Sequence, residues 1–190
     1  PQRLDRRLFF QLLVLDVAAP ASPTAALTAL SEHLEQRRIG SVLYADLNDP
    51  RGIGLLTWSE DPDHFVKAVR PLLDHEALHS VSARPGWTMF GRTYSSGYER
   101  DLADWLLERP RRNVLEAGAD WAIWYPLRRK GEFNLLPGKE RGPILREHGT
   151  IGRAYGEADL AHDVRLACQG LDPFDNDFVI GLLGKDLHPL

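Results

Sequence analysis

The chain holds one cysteine in 190 residues, Cys168. An internal disulfide and any cysteine-built zinc or iron–sulfur site are therefore excluded, and the usage suits a reducing, cytoplasmic setting. A surplus of positive charge is also missing. Lys+Arg 23 against Asp+Glu 27 gives −4, which argues against nucleic acid as a partner, because phosphate binding needs a basic face. No apolar run approaches the roughly 20 residues of a membrane span, and no small-residue cleavage site follows Leu8–Leu15, so neither a membrane nor export is expected. Nucleotide and hydrolase motifs are lacking too. Gly52-x-Gly54 has no third glycine and opens no helix, and there is no P-loop, nucleophile elbow or HExxH. What is present is 43% hydrophobic content, enough for one large domain or two small ones with a real core.

The apolar patterning gives two similar runs. Leu8–Leu15 reads as a buried strand ended by the proline-containing stretch Ala18–Pro23. Thr24 is expected to cap a helix carrying Leu27, Leu30, His33 and Leu34, closed by Gly40. Ser41–Leu47 and Ile53–Trp58 read as a hairpin. Ser59 or Asp61 opens a second helix with Phe65, Val66, Val69 and Leu72–Leu73, and a further strand is expected from about Leu78 to Tyr94. The order β-α-β-β-α-β is a ferredoxin-like unit. A connector over 99–118 contains a short helix, Glu99–Leu107, and Arg109-Pro-Arg-Arg112, read as a solvated linker in preference to an anion site. The pattern then restarts with strand Trp121–Tyr125, helix Pro137–Tyr155, and strands His162–Gln169 and Phe178–Leu183. Gly54-Leu55-Leu56 and Gly181-Leu182-Leu183 fall at equivalent points, a weak internal repeat.

The expected fold is α+β: two ferredoxin-like units, 1–98 and 119–190, in the manner of a dimeric α/β barrel. The second unit stops at Leu190, before its second helix and last strand. Either the chain shown is clipped or disordered beyond that point or a partner subunit covers the open face and edge, and a homo-oligomer is expected. Trp121, Ile123, Leu145, Ile151, Phe178 and Ile180 are expected to be buried.

Around His148, residues Ile144, Leu145, Ile151, Gly152 and Tyr155 lie at helical spacings of three, four and seven, which turns the imidazole inward. A lone inward histidine is commonly a satisfied core residue. Here Gly149 and Gly152 leave room for a large flat ligand, and no second His, Asp or Glu shares the face to make a zinc pair. Haem needs only one protein ligand.

The segments Tyr125-Pro-Leu-Arg-Arg129, Leu136-Pro-Gly-Lys-Glu-Arg141, Glu147-His-Gly-Thr-Ile-Gly-Arg-Ala-Tyr155, Gln169-Gly-Leu-Asp172 and Asp177-Phe178 resemble, in order, the chlorite dismutase family. Gly91-Arg-Thr-Tyr-Ser95 is similar to its segment before the domain linker. The family includes chlorite dismutases and coproheme decarboxylases. The resemblance implies haem, as coproheme or haem b, in the second unit, with His148 as the axial iron ligand and Ile151 and Gly152 beside the macrocycle.

The family's two branches imply different chemistry. Tyr125 matches the tyrosine that forms a radical in the decarboxylases, whereas the length of the Tyr125–His148 segment, with Glu132 and Phe133, is closer to the chlorite dismutases. The distal position, Gln in many decarboxylases and Arg in chlorite dismutases, falls on Asp163 counting back from Gly170, or on Arg165 two residues further along the same strand face. Peroxide-driven decarboxylation of coproheme with Tyr125 as relay is the first reading. Arg128 and Arg129 would then hold propionates, or be a solvated strand end. Chlorite decomposition using Arg165, or haem binding without catalysis, are the alternatives.

Overall fold

A computed structural model describes residues 2–190. The first half contains β1 (Phe9–Val17), α1 (Pro23–Gln36), β2 (Ser41–Ala45), β3 (Gly52–Ser59), a π-helical turn (Phe65–Val69) running into α2 (Arg70–Leu73), β4 (Val81–Ala83) and β5 (Met89–Thr93). A second π-helical turn, Asp104–Glu108, leads into α3 (Arg109–Val114). The second half contains β6 (Trp121–Leu127), α4 (Gly131–Leu135), α5 (Gly138–Glu157), β7 (His162–Ala167) and β8 (Phe178–Gly184).

All strands join one antiparallel sheet in the order β2-β3-β1-β5-β7-β8-β6, with β4 pairing β1 beside β5. The subset β2-β3-β1 is repeated in order by β7-β8-β6, which is the internal repeat foreseen from the two Gly-Leu-Leu segments. The repeat has a physical basis. Gly54 pairs with Tyr44 and Gly181 with Trp124 across neighbouring strands, and a Cβ on Gly181 would sit 2.6 Å from the Trp124 ring. Each glycine makes room for an aromatic ring laid over the strand.

Alternation along β1 separates two cores. Leu15 and Val17 join Leu30, Leu34, Phe65, Val69 and Leu72 beneath the first-half helices. Leu8, Phe10 and Leu12 join Val164, Leu166, Val179 and Leu183 from the second half, together with Leu102, Leu106, Leu107 and Val114 from the connecting helix. The two halves thus close on one another around a shared core. Inside it the Tyr44 hydroxyl and the neighbouring Trp124 indole N–H are buried with no well-formed hydrogen bond, and burial pushes the Tyr44 phenol up to about 12 against the opposing pull of the Trp124 N–H.

Several expectations need correction. Ser22, not Thr24, caps α1, accepting from the Ala25 N–H, and α1 ends at Gln36, well before Gly40. The span Leu78–Tyr94 is broken by a 3₁₀ turn at Pro85–Trp87, where proline cannot continue the ladder. Arg109-Pro-Arg-Arg112 is not a solvated linker. It lies in α3 with Pro110 and Asn113 buried. Of the six residues expected to be buried only Phe178 is; Ile123 and Ile180 are half-buried, and Trp121, Leu145 and Ile151 are exposed. Leu145 and Ile151 are exposed because α5 buries none of its residues. No helix among the described residues is long and apolar enough to cross a membrane.

Candidate functional site

Register fixes which side chains share the second half's outer sheet face. Tyr125 pairs with Ile180 on β8, and Ile180 with Arg165 on β7. These three therefore form one row, and Asp163 lies two residues from Arg165 on the same face. Val164 and Leu166 point the other way into the shared core. Sheet alternation thus sorts polar from apolar along one short strand.

Across from this face stands α5. It starts after Pro137 and ends where Asp159, at φ 54, leaves the helical conformation, with the Leu160 N–H bonded to the Tyr155 carbonyl. The Asp159 carboxylate then receives His162 Nε2 at 2.9 Å and the Lys185 ammonium, tying the helix end to β7 and to the residues after β8. Between these ties and the sheet lies a cleft of about 690 Å³, within the roughly 300–1,000 Å³ range of small-molecule and cofactor sites.

His148, Gly149, Gly152 and Arg153 line the helix side of the cleft, and Trp105, Arg109, Asp163 and Arg165 line the sheet side. A Cβ on Gly149 or Gly152 would meet nothing within 4 Å, so the space beside His148 is open. The helix face turned to the sheet differs from the apolar face expected from spacing. His148 and Gly152 belong to it, but Ile151 is 53% exposed and outside the cleft. On α5 the imidazole turned to the cleft is that of His148, beside the bare backbone of Gly149 and Gly152, while the second imidazole of the lining, His162, is tied to Asp159; this fits a planar group bound through a single axial nitrogen.

On the sheet side, Asp163 Oδ1 accepts from Arg109 Nη2 at 2.7 Å, and Asp163 Oδ2 lies 2.9 Å from Arg165 Nε. Both guanidiniums lie over the Trp105 ring, at 4.4 and 5.0 Å from its centroid. The Trp105 N–H donates to the Tyr94 carbonyl at 3.1 Å. The Tyr94 ring packs against Phe178, and its phenol is pushed up by burial, against the pull of Arg165 and Arg129. The Tyr125 phenol is also raised, first by burial and then by Asp163.

Asp163, Arg165, His148 and Gly152 are brought together, and Tyr125 shares the sheet face without lining the cleft. Arg128 donates to the Phe174 carbonyl. The Arg129 guanidinium stacks on Phe178, 4.7 Å from the centroid, and its backbone N–H donates to Asp177. Neither arginine lines the cleft. Spacing missed Trp105 and Arg109, because the residues that give them their place in the site, Asp163 and Arg165, lie more than fifty positions along the chain. The arginine cluster at 109–112 was the available signal for Arg109.

A comparison against known families matches residues 21–190 to chlorite dismutase. No curated protein sequence matches the chain. Among solved structures the fold is similar to a haem-binding protein from Thermus thermophilus, 20% identical with a TM-score of 0.69 over 100% of this chain and 82% of that one. It is likewise similar to a mutant chlorite dismutase from Candidatus Nitrospira defluvii, 14% identical with a TM-score of 0.68 over 96% and 78% of the two chains.

Proposed function

This chain belongs to the chlorite dismutase family, and from that premise we propose that it is a haem-dependent oxidoreductase with His148 as the iron ligand. The observation carrying the reading is the stand-off of α5. A 20-residue helix with no buried residue faces the sheet across a cleft with one imidazole on its own side. The structural relative described as a haem-binding protein supports the same ligand. Gly149 and Gly152 let a flat ring approach the helix backbone, whereas Ile151, outside the cleft, takes no part. When bound, haem supplies redox chemistry at iron.

In the first reading the substrate is coproheme with peroxide as oxidant, and a propionate loses CO₂. Tyr125 keeps its phenolic hydrogen at neutral pH, as an ordinary tyrosine does, and burial and Asp163 raise its phenol further. That hydrogen is what the side chain gives up in relaying the oxidising equivalent. Arg128 and Arg129, flanking the end of β6, would pair with propionates. The second reading is chlorite decomposition to chloride and O₂. It is favoured by the position of Arg165, which lines the cleft where Tyr125 does not, and whose charge would stabilise an anion there. The reading also carries forward the expectations of two units, a homo-oligomer and a cytoplasmic location.

Titration with haem b and with coproheme, followed by product analysis, tests this. His148→Ala should weaken haem binding by roughly tenfold or more, since loss of a direct ligand costs at least what loss of its outer partners does. Tyr125→Phe should retain binding and lose CO₂ release, with Arg165→Ala affecting it little. The inverse pattern with chlorite, O₂ yield falling in Arg165→Ala alone, would establish the second reading. Unchanged haem spectra in His148→Ala would overturn the ligand assignment, and binding with neither product would leave a non-catalytic haem-binding protein.

A further inference from the structure

Three segments meet at the C-terminal end of α5. Asp159, at φ 54, turns the chain out of the helix, His162 opens β7, and Glu116 stands in the turn that follows α3. One ligand atom from each, two carboxylate oxygens and an imidazole nitrogen, lies within 4.8 Å of the other two, the one such set among the described residues. Ligands of a tetrahedral ion, each about 2 Å from it, stand roughly 3.3 Å apart, and His162 Nε2 is already 2.9 Å from Asp159 Oδ1. The Glu116 side chain is exposed and can close the remaining gap by changing rotamer. The donors also agree in kind. An imidazole with two carboxylates takes a first-row divalent ion such as Zn²⁺, whereas oxygen alone would suit Mg²⁺ or Ca²⁺. A cation is already drawn to this place. The Lys185 ammonium pairs with Asp159 Oδ2, and its pKa is raised by Asp159 and then by Glu116 and Asp186. Two carboxylates against one ammonium still leave the set at −1. Lys185 is more than half exposed, and an exposed ion pair on a flexible stem is held weakly.

We propose that Glu116, Asp159 and His162 form a site for a first-row divalent cation of the Zn²⁺ class, with the Lys185 ammonium as the internal cation that the metal displaces. The imidazole presents its Nε2 lone pair, with the ring hydrogen on Nδ1, and the hydrogen bond between His162 and Asp159 gives way to two bonds to the ion. A metal there joins the connector after α3, the end of α5 and the start of β7. It fastens the helix that carries His148 at the end already tied down, without touching His148 itself. The site rests on these three side chains and is independent of haem.

The test is calorimetric titration of Zn²⁺ into the full chain without haem and without an affinity tag. Binding of one equivalent is expected, unaffected by Mg²⁺ in excess. His162→Gln and Glu116→Gln should each weaken it tenfold or more, since a direct ligand matters at least as much as its outer partners. Lys185→Met should strengthen it several-fold, a gain that no loss of folding can imitate. Replacing the stacked imidazoles of the first half, His33 and His75, whose ring centroids are 3.9 Å apart, by His33→Gln with His75→Gln should change nothing. No Zn²⁺ binding at submillimolar metal, unchanged affinity in His162→Gln, no gain in Lys185→Met, or loss of binding in the His33 and His75 variant would each overturn the proposal. The titration contains no haem, so failure of the function proposed above leaves its result as it stands.

Discussion

Cys168 is fully buried and its thiol points at the Asn176 carbonyl, 3.1 Å away. Burial, reinforced by Asp172 and Asp177, pushes the thiol up to about 11. Between the ordinary thiol range and that value the unfolded chain gives up a proton that the folded chain keeps. Stability therefore falls with rising pH across that window and is unaffected below it. At pH 8 native protein should resist iodoacetamide, while protein in guanidinium chloride should be labelled at one site; mass spectrometry distinguishes the two, and rapid native labelling would contradict the burial. At this scale the sequence was informative where a residue's environment is local. Arg165 was placed beside Asp163 by the period of two, whereas His148 and Gly152 line the cleft without the apolar neighbours Leu145 and Ile151 that helical spacing grouped with them. Arg109 was not placed, because its meaning comes from Asp163, 54 positions away, and no local pattern encodes that pairing.

Among the longer elements, α5 has little holding it. It contains five glycines and Pro143 in 20 residues, and each interior glycine costs about 1 kcal/mol relative to alanine. It buries nothing to offset this. Its described anchors are concentrated at the C-terminal end, where Asp159 takes His162 and Lys185. Hydrogen–deuterium exchange should accordingly find the α5 amides exchanging well before those of β1 and β3 in the haem-free chain, and slowing by an order of magnitude or more on haem addition. Protection that is equal with and without haem would count against a ligand in the cleft. The limits of α5 were legible, within two residues at either end, because Pro137 and the helical period mark them. Its facing side was not. Apolar spacing finds the side that packs on protein, and here the helix looks onto a gap lined by His148, Gly149 and Gly152.

For the whole molecule, the consequential contact is the core common to both halves. The sheet itself is joined across its middle by two residue pairs only, Arg92 with Ala167 and Thr93 with Leu166. The apolar interior does more, bringing Phe10 and Leu56 from one half and Leu166 and Leu183 from the other into a single cluster with Leu106 of the connecting helix. Unfolding by urea should then be a single transition, with tryptophan fluorescence and far-ultraviolet circular dichroism coinciding. Two separated steps would show that the halves melt independently. The existence of two similar units was legible from the repeated Gly-Leu-Leu segments and the strand order. Their mutual packing was not, since both faces of β1 are apolar and periodicity does not say which face meets which neighbour.

That shared interior also bears on how such a chain can change by descent. Gly181 must stay small beneath Trp124, and Trp124 packs with Tyr44 against the same core. A substitution at any of the three alters the room left for the others, although 137 positions separate Tyr44 from Gly181. The halves are therefore a matched set, and a second half transplanted from a distant relative would bring its own ring sizes into an interior shaped by another partner.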